Sequence, residues 1–199
     1  RSHRSSSLVE RLGIGNRSMD WHHLFETELG WVRLTYRGEA IARSGFGWTE
    51  RDEALSGLGA TNDVEIRFDR LPRSSEGRYR FAEACREAFD TYAANGDDRL
   101  QQLPIIEPAR TEFQRAVILA CRAIPAGETM TYGELATVAG SPGASRAVGN
   151  QMARNPLPLL VPCHRVVPTG RGLGGFSAPQ GVAMKRRLLE LESQRLVLR

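Results

Sequence analysis

The sequence lacks the features that mark membrane-spanning, secreted and disulfide-stabilised proteins. It has no apolar run close to the roughly 20 residues that a membrane-spanning helix needs, and residues 1–7 are polar, unlike a secretory signal. Its 3 cysteines are widely spaced, which does not make a disulfide framework and favours a reducing compartment. With an apolar fraction of 41% and a charged fraction of 25%, the chain is expected to be soluble, globular and without a membrane partner.

Lysine is almost absent, and the charge is unevenly distributed. Lys185 is the only lysine among 27 basic residues. Residues 1–107 carry 15 basic and 18 acidic residues, a net charge of −3, whereas residues 108–199 carry 12 and 5, a net charge of +7. Random scatter of charges in a basic chain would account for this asymmetry. The asymmetry also fits a second interpretation, in which arginines of the second half bind a polyanion.

The first half is expected to be a small α/β unit without catalytic residues. Residues 1–19 are interpreted as a mobile tail, and short alternating runs predict strands over residues 21–27, 31–36, 39–45 and 64–68, with a helix starting near Thr49 to Asp52. Apolar residues from Phe81 to Tyr92 recur at helical spacing, so Cys85 is expected in the core and the helix to end near Gly96. No cysteine lies upstream of Cys85 to complete a zinc site with His22 and His23, so no metal is predicted. Residues 96–108 are interpreted as a linker.

Two short helices of the second half predict a helix-turn-helix. Thr111 with Gln114, and Thr131 with Glu134, have the spacing of capping boxes. The helix that begins after Thr111 would place Cys121 in the core, and the helix that begins after Thr131 would stop at Gly140. Ser141-Pro142 would then start a further helix that runs to about Arg154 and forms the helix-turn-helix with the helix before it.

This last helix carries small residues and one long cation, Arg146. Taken alone, such a residue is typical of a solvated arginine on a surface helix.

The remaining cysteine, Cys163, lies beside His164 at the end of an apolar segment that contains prolines at 156, 158 and 162. These prolines exclude helix and predict a stiff, extended run. Neighbours on an extended chain point to opposite sides, so a water bridge between thiol and imidazole is more plausible than direct contact. Such a pair is most often a buried thiol beside an ordinary histidine.

The run from Pro162 to Val167, preceded by Asn155-Pro156, resembles the active-site signature of the O6-alkylguanine-DNA alkyltransferases. The resemblance extends from about Phe113 to Glu192 and includes residues 131–133, 145–149 and the glycine loop at 172–175. It implies a ribonuclease H-like α/β domain over residues 20–95. It also implies a mainly α domain over residues 109–199 with a winged-helix-like helix-turn-helix.

The resemblance also implies a role for each matched residue. Cys163 would be the alkyl acceptor, His164 its base, and Glu192 the acceptor that orients His164, with Glu190 as the competing choice. Tyr132 would donate to the leaving base and help to rotate the nucleotide, and Asn155 would be the hinge. The pocket would be lined by Val166 and by the loop that contains Gly174, Gly175, Phe176 and Ser177. This loop is about two residues longer than the commonest family pattern.

The implied partner is double-stranded DNA that carries alkylated bases, bound in the minor groove by a monomer. Arg146 would fill the space left by the rotated nucleotide, among the small or polar contacts Ala144, Ser145, Ala147 and Gly149, with Tyr132 beside them. The alkyl group of O6-alkylguanine, and of O4-alkylthymine, would pass to Cys163 once per molecule, with no cofactor. Such a protein would be cytoplasmic, associated with the nucleoid in a bacterium, or nuclear in a eukaryote.

Three other functions fit parts of the sequence. A non-catalytic alkyltransferase-like protein would bind the lesion but lack the reactive cysteine. A DNA-binding regulator would use the helix-turn-helix without chemistry. A Cys-His hydrolase is disfavoured by the adjacency of Cys163 and His164.

Overall fold

A four-stranded sheet forms the first half of the chain in the computed structural model, which describes residues 20–56, 58, 65–68, 77–170 and 172–197. The predicted tail, residues 1–19, lies outside the described residues. The strands are β1 (Trp21–Thr27), β2 (Gly30–Tyr36), β3 (Ile41–Trp48) and β4 (Glu65–Phe68). The strand order is β3-β2-β1-β4, in which β4 is parallel to β1 and the other pairs are antiparallel.

The described residues of this half include two helices. Helix α1 (Arg51–Leu55) begins after Glu50, whose side chain forms a capping box with Glu53. Helix α2 (Gly77–Asn95) packs its apolar face on the sheet, with Phe89 edge-on to Phe25 and Cys85 fully buried. The predicted helix is therefore confirmed, and Gly96, with a φ of +70°, ends it.

The second half is mainly helical. Its elements are α3 (Glu112–Arg122), β5 (Met130–Thr131), α4 (Tyr132–Val138), α5 (Ser145–Ala153), β6 (Val166–Val167) and α6 (Gly181–Val197). A short 3₁₀ turn (Asp98–Gln102) lies in the predicted linker, and β5 and β6 form a two-stranded parallel ladder. Thr111 caps α3 through the Gln114 amide, and Thr131 and Glu134 form a complete capping box at α4, as their spacing predicts.

Helix α5 begins later than predicted. Ser141-Pro142 does not start it, because Gly143 has a φ of +87°, which a helix cannot contain. Instead the amide of Ala144 donates to the carbonyl of Ser141 at 3.1 Å and closes a turn, and the helix starts at Ser145. It ends at Ala153, with Arg154 as its C-cap, close to the predicted end.

The segment from residue 155 to residue 167 is not extended throughout, so that prediction was wrong. The prolines do exclude α-helix, but the amide of Val161 donates to the carbonyl of Leu157 at 2.8 Å and folds the chain into a turn. Leu159 has a left-handed φ of 69°. A 3₁₀ turn then covers Cys163–Arg165 and leads into β6.

The two halves share one hydrophobic core and are joined by polar contacts. The backbone of Ser44 donates to the carbonyl of Pro156 at 3.0 Å, and its hydroxyl donates to the carbonyl of Pro158 at 2.9 Å. The sheet therefore holds the segment that leads to Cys163, in a mixed α/β fold. Over the described residues, no helix is long and apolar enough to cross a membrane.

Candidate active site

Cys163 opens the 3₁₀ turn after Pro162, and its side chain is held by Asn155. The residue is 5% exposed. The Asn155 amide nitrogen Nδ2 donates to Sγ of Cys163 at 3.2 Å and to the carbonyl of Val161 at 2.8 Å, while its Oδ1 accepts from the amide of Leu157 at 3.0 Å. One side chain therefore fixes both the turn and the thiol.

The environment of the Cys163 thiol keeps it protonated at neutral pH. Burial raises its pKa, and the Asn155 hydrogen bond and the charge of Lys185 oppose that shift only in part. Because the thiolate is the reactive form of cysteine, this thiol needs a base to take its proton.

His164 and Glu192 form the buried pair behind the thiol. The imidazole Nε2 lies 2.8 Å from Glu192 Oε1, and neither side chain is exposed to solvent. Glu190, the competing residue on α6, is exposed. The other ring nitrogen of His164, Nδ1, is buried and has no hydrogen-bond partner among the described protein groups.

The protonation states of this pair suit proton acceptance. Burial lowers the pKa of His164, despite the opposing hydrogen bond to Glu192, so the imidazole is neutral at neutral pH. Burial by itself would raise the pKa of Glu192, but hydrogen bonds from His164 and Arg165 outweigh it and lower the pKa to about 2. The pair is therefore a neutral imidazole beside a carboxylate, which can stabilise an imidazolium when the histidine takes a proton.

The sequence reasoning missed Arg165 and Tyr92, which contact this pair, and Asp98, which contacts Arg165. Arg165 is fully buried; its Nη2 donates to Glu192 Oε1 and to Asp98 Oδ1, each at 2.9 Å, and its Nη1 donates to the carbonyl of Ile124 at 2.6 Å. Tyr92, on α2, donates its hydroxyl to Glu192 Oε1 at 2.7 Å. Tyr92 was read as part of an apolar helix face and Asp98 as part of a linker, and neither has a local pattern that signals a polar site.

The single lysine is also buried beside the site. Nζ of Lys185 donates to the carbonyl of Val166 at 2.7 Å, and its side chain has no solvent exposure. Burial lowers its pKa. Its positive charge favours the thiolate form of Cys163. No local pattern distinguishes this lysine from a solvated helix residue.

A cavity of about 460 Å³ opens onto Cys163. That volume falls in the range of small-molecule sites. Gly174 has a φ of +71°, which favours glycine, and a Cβ there would lie 3.2 Å from Cδ of Pro168 and 3.4 Å from the Tyr132 hydroxyl. Val166 is not among the lining residues, because it is buried in β6. The cavity is lined by Tyr132, Gly149, Met152, Ala153, Cys163, Gly174, Gly175, Phe176 and Ser177.

Comparisons with known proteins match both the sequence and the fold. The profile described as 6-O-methylguanine DNA methyltransferase, DNA binding domain, matches residues 112–194. A protein named methylated-DNA–protein-cysteine methyltransferase from Methanosarcina acetivorans is 48% identical over 113 residues, which cover 56% of this chain and 69% of that protein. A protein of the same name from Mycobacterium leprae is 42% identical over 118 residues, which cover 59% and 68%. The chain belongs to the methylated-DNA–protein-cysteine methyltransferase family.

Solved structures of methyltransferase-family members resemble this chain over nearly its whole length. The crystal structure of Mycobacterium tuberculosis OGT in complex with DNA has a TM-score of 0.63 at 29% identity, covering 88% of this chain and 94% of that chain. The O6-methylguanine-DNA methyltransferase of Pyrococcus kodakaraensis has a TM-score of 0.58 at 25% identity, covering 87% and 99%. The first half of the chain, which the sequence profile does not match, therefore shares the fold of the methyltransferase family.

Of the predicted DNA-contacting residues of this methyltransferase-family chain, Tyr132 is the first residue of α4, and the others lie on α5 and the turn before it. Arg146 and Ala147 are exposed, whereas Ala144, Ser145 and Gly149 are partly buried. Gly149 lines the cavity of Cys163, so α5 connects the exposed Arg146 with the thiol. Among the described residues, no group of three or more His, Cys, Asp or Glu is placed to hold a metal ion.

Proposed function

We propose that this chain repairs DNA by direct reversal, transferring the alkyl group of O6-alkylguanine to Sγ of Cys163. The observation that carries the proposal is a protonated thiol at the wall of an open cavity, beside a buried His164–Glu192 pair, in a member of the methyltransferase family. The non-catalytic alternative is not favoured, because the acceptor position holds a cysteine.

The proton must leave Cys163 before the sulfur attacks. A water between the thiol and Nδ1 of His164 would pass it on and would satisfy the unpartnered nitrogen. The imidazolium that forms is stabilised by the Glu192 carboxylate at 2.8 Å. Asn155 and Lys185 favour the thiolate.

The thiolate then attacks the alkyl carbon in line. The S–C bond forms, the C–O6 bond breaks, and its electron pair moves to O6 of guanine. Guanine takes up one proton, which balances the proton lost by the thiol. Tyr132 and Ser177, which line the cavity, are proposed as hydrogen-bond donors to the departing base. The product is a thioether that no described group is placed to hydrolyse, so each molecule reacts once.

We propose that DNA is engaged through its minor groove by α5. A base inside a duplex cannot reach a sulfur at the wall of this cavity, so the nucleotide must rotate out of the stack. Exposed Arg146 would occupy the gap in the stack, and the small residues Ala144, Ser145, Ala147 and Gly149 would allow close approach. The net charge of +7 over residues 108–199 supports binding of a polyanion.

We also propose a domain arrangement, an oligomeric state and a cellular location for this protein. Residues 20–95 would be a ribonuclease H-like domain, residues 96–108 the linker, and residues 109–199 an alkyl-acceptor domain with a winged-helix-like helix-turn-helix. The protein would act as a monomer without a cofactor, in the cytoplasm or nucleoid of a bacterium or in the nucleus of a eukaryote.

The proposal is tested by intact-mass measurement after the protein is mixed with a duplex oligonucleotide that contains O6-methylguanine. We expect a gain of one CH₂ unit per chain, located on Cys163 by peptide mapping, and no gain in Cys163→Ser. The matched control is Cys121→Ala, a fully buried thiol whose pKa burial raises strongly, and this variant should gain the methyl group. Continued turnover with excess substrate, or methylation of Cys163→Ser, would contradict the proposal.

A further inference from the structure

Glu192 Oε1 accepts several hydrogen bonds, and one comes from the first half of the chain. Tyr92 Oη lies 2.7 Å from this oxygen, His164 Nε2 lies at 2.8 Å, and Arg165 contributes Nη2 at 2.9 Å and Nε at 3.2 Å. Tyr92 belongs to α2 and is 1% exposed. The carboxylate that orients His164 is therefore held partly by the sheet-bearing half.

The distances assign the protons in this cluster. Tyr92 has one hydroxyl proton, and its oxygen is closer to Glu192 Oε1, at 2.7 Å, than to His164 Nε2, at 3.3 Å. Since Glu192 is ionised, the proton points to the carboxylate. His164 Nε2 then faces two acceptors, Glu192 Oε1 and the lone pairs of Tyr92 Oη, so Nε2 carries the ring proton and Nδ1 has the free electron pair.

We propose that Tyr92 is a positioning residue for alkyl transfer, acting through Glu192 to hold the His164 imidazole with Nδ1 as the base. The inference rests on the proposed function and deepens it by assigning the first half a part in the chemistry. Gly96 supports the placement: a Cβ at this residue, four positions after Tyr92, would lie 3.1 Å from Cα of Glu192. The end of α2 is therefore packed directly on the backbone of α6 at the functional carboxylate.

Loss of the Tyr92 hydroxyl should change the pH dependence of transfer in a defined direction. A hydrogen bond to a carboxylate favours its charged form, so Tyr92→Phe raises the pKa of Glu192. The more basic carboxylate stabilises the imidazolium more strongly. Loss of the contact between Tyr92 and His164 Nε2 opposes this effect, but at 3.3 Å that contact is longer than the 2.7 Å bond to Glu192. The acid limb of the rate profile therefore moves to higher pH. The other groups facing the pair are unchanged: Arg165 and Cys163 on the 3₁₀ turn, Lys185 on α6, and Asp98 through Arg165.

The experiment is single-turnover alkyl transfer from an O6-methylguanine duplex, measured by quench and intact mass between acid and neutral pH. We expect Tyr92→Phe to slow transfer about tenfold, equivalent to about 1.4 kcal/mol, because the imidazole is held less firmly and a larger fraction of it is already protonated as the pH falls. DNA affinity should be unchanged. The matched control is Tyr36→Phe, which removes a buried hydroxyl of the same half beside Cys85 and away from Glu192. It should react at the wild-type rate. If the wild-type protein fails to accept the methyl group, the proposed function itself is wrong, whereas equal rates for wild type and Tyr92→Phe overturn only this inference.

A double-mutant comparison separates positioning from general packing. If Tyr92 acts through Glu192, Tyr92→Phe should have no further effect on the rate of Glu192→Gln. The same tenfold loss in both backgrounds would overturn the inference. The unmutated protein gives a test that does not depend on the folding of a variant: the Tyr92 hydroxyl proton should exchange slowly in NMR spectra and show a contact with the His164 ring. Rapid exchange without that contact would also overturn it.

Discussion

Replacing Glu192 by Gln removes the charge that compensates a fully buried arginine. The carboxylate accepts from Arg165 Nε and Nη2 and from His164 Nε2, all between 2.8 and 3.2 Å. In Glu192→Gln, Asp98 is the one anionic partner that Arg165 keeps among the described residues, and the new amide group places a donor among donors. Breaking a buried ion pair by removing one partner is strongly destabilising, because the other charge remains in the interior.

The pKa of Glu192 gives the size and the pH window of this effect. Folding lowers the pKa from 4.5 to about 2, which corresponds to about 3 kcal/mol of stability. Because the folded-state pKa is lowered, this contribution is complete above pH 4.5 and is lost as the pH falls toward 2. His164, whose pKa burial lowers from 6.5, acts in the same direction, since the unfolded chain binds its proton first as the pH falls. We therefore expect Glu192→Gln to lose about 3 kcal/mol at pH 7, and the difference from wild type to shrink in acid.

Urea unfolding between acid and neutral pH measures this prediction. The matched control is Glu190→Gln on the same helix, whose side chain is exposed and should have little effect on the free energy of unfolding. Equal free energies of unfolding for wild type and Glu192→Gln at pH 7 would refute the reasoning. So would a difference between them that stays constant as the pH is lowered.

Two further predictions concern α2 and α5. Gly96→Ala should cost roughly 2–3 kcal/mol in unfolding free energy, because it adds about 1–2 kcal/mol of left-handed strain to a Cβ contact at 3.1 Å with the α6 backbone. Gly140→Ala, at a φ of +75° with nothing within 4 Å, should show the strain alone. Arg146→Ala should weaken DNA binding in equilibrium titrations and lower the slope of log K against log salt by about one, while leaving the unfolding free energy nearly unchanged.

Matched variants test the predictions for Gly96 and Arg146. Equal losses for Gly96→Ala and Gly140→Ala would show that the contact with α6 is unimportant. For Arg146, the matched control is Arg51→Ala in α1, which removes the same charge from the other half of the chain. An equal effect of both arginine variants on DNA affinity would mean that net charge, rather than the position on α5, governs binding.

Local pattern was sufficient for most of the secondary structure, and it failed where side chains or left-handed residues redirect the backbone. The capping boxes and the apolar spacing of α2 are short-range features, so their positions follow from neighbouring residues alone. Pro at an apparent helix start misled the prediction for α5, because Gly143 adopts a positive φ that spacing does not reveal. The segment before Cys163 was expected to be extended, yet the Asn155 side chain and an i to i+4 hydrogen bond fold it into turns.

The sequence by itself determined the family and the proposed acceptor with its neighbouring histidine, because these depend on residue types at fixed local spacing. Only the tertiary structure decided which groups hold that histidine. Tyr92 and Glu192 are 100 residues apart in the chain and meet at 2.7 Å. Arg165 and Lys185 are cations that the fold buries completely. A charge can remain in an apolar interior only when partners from distant segments satisfy it, and no local pattern records those partners.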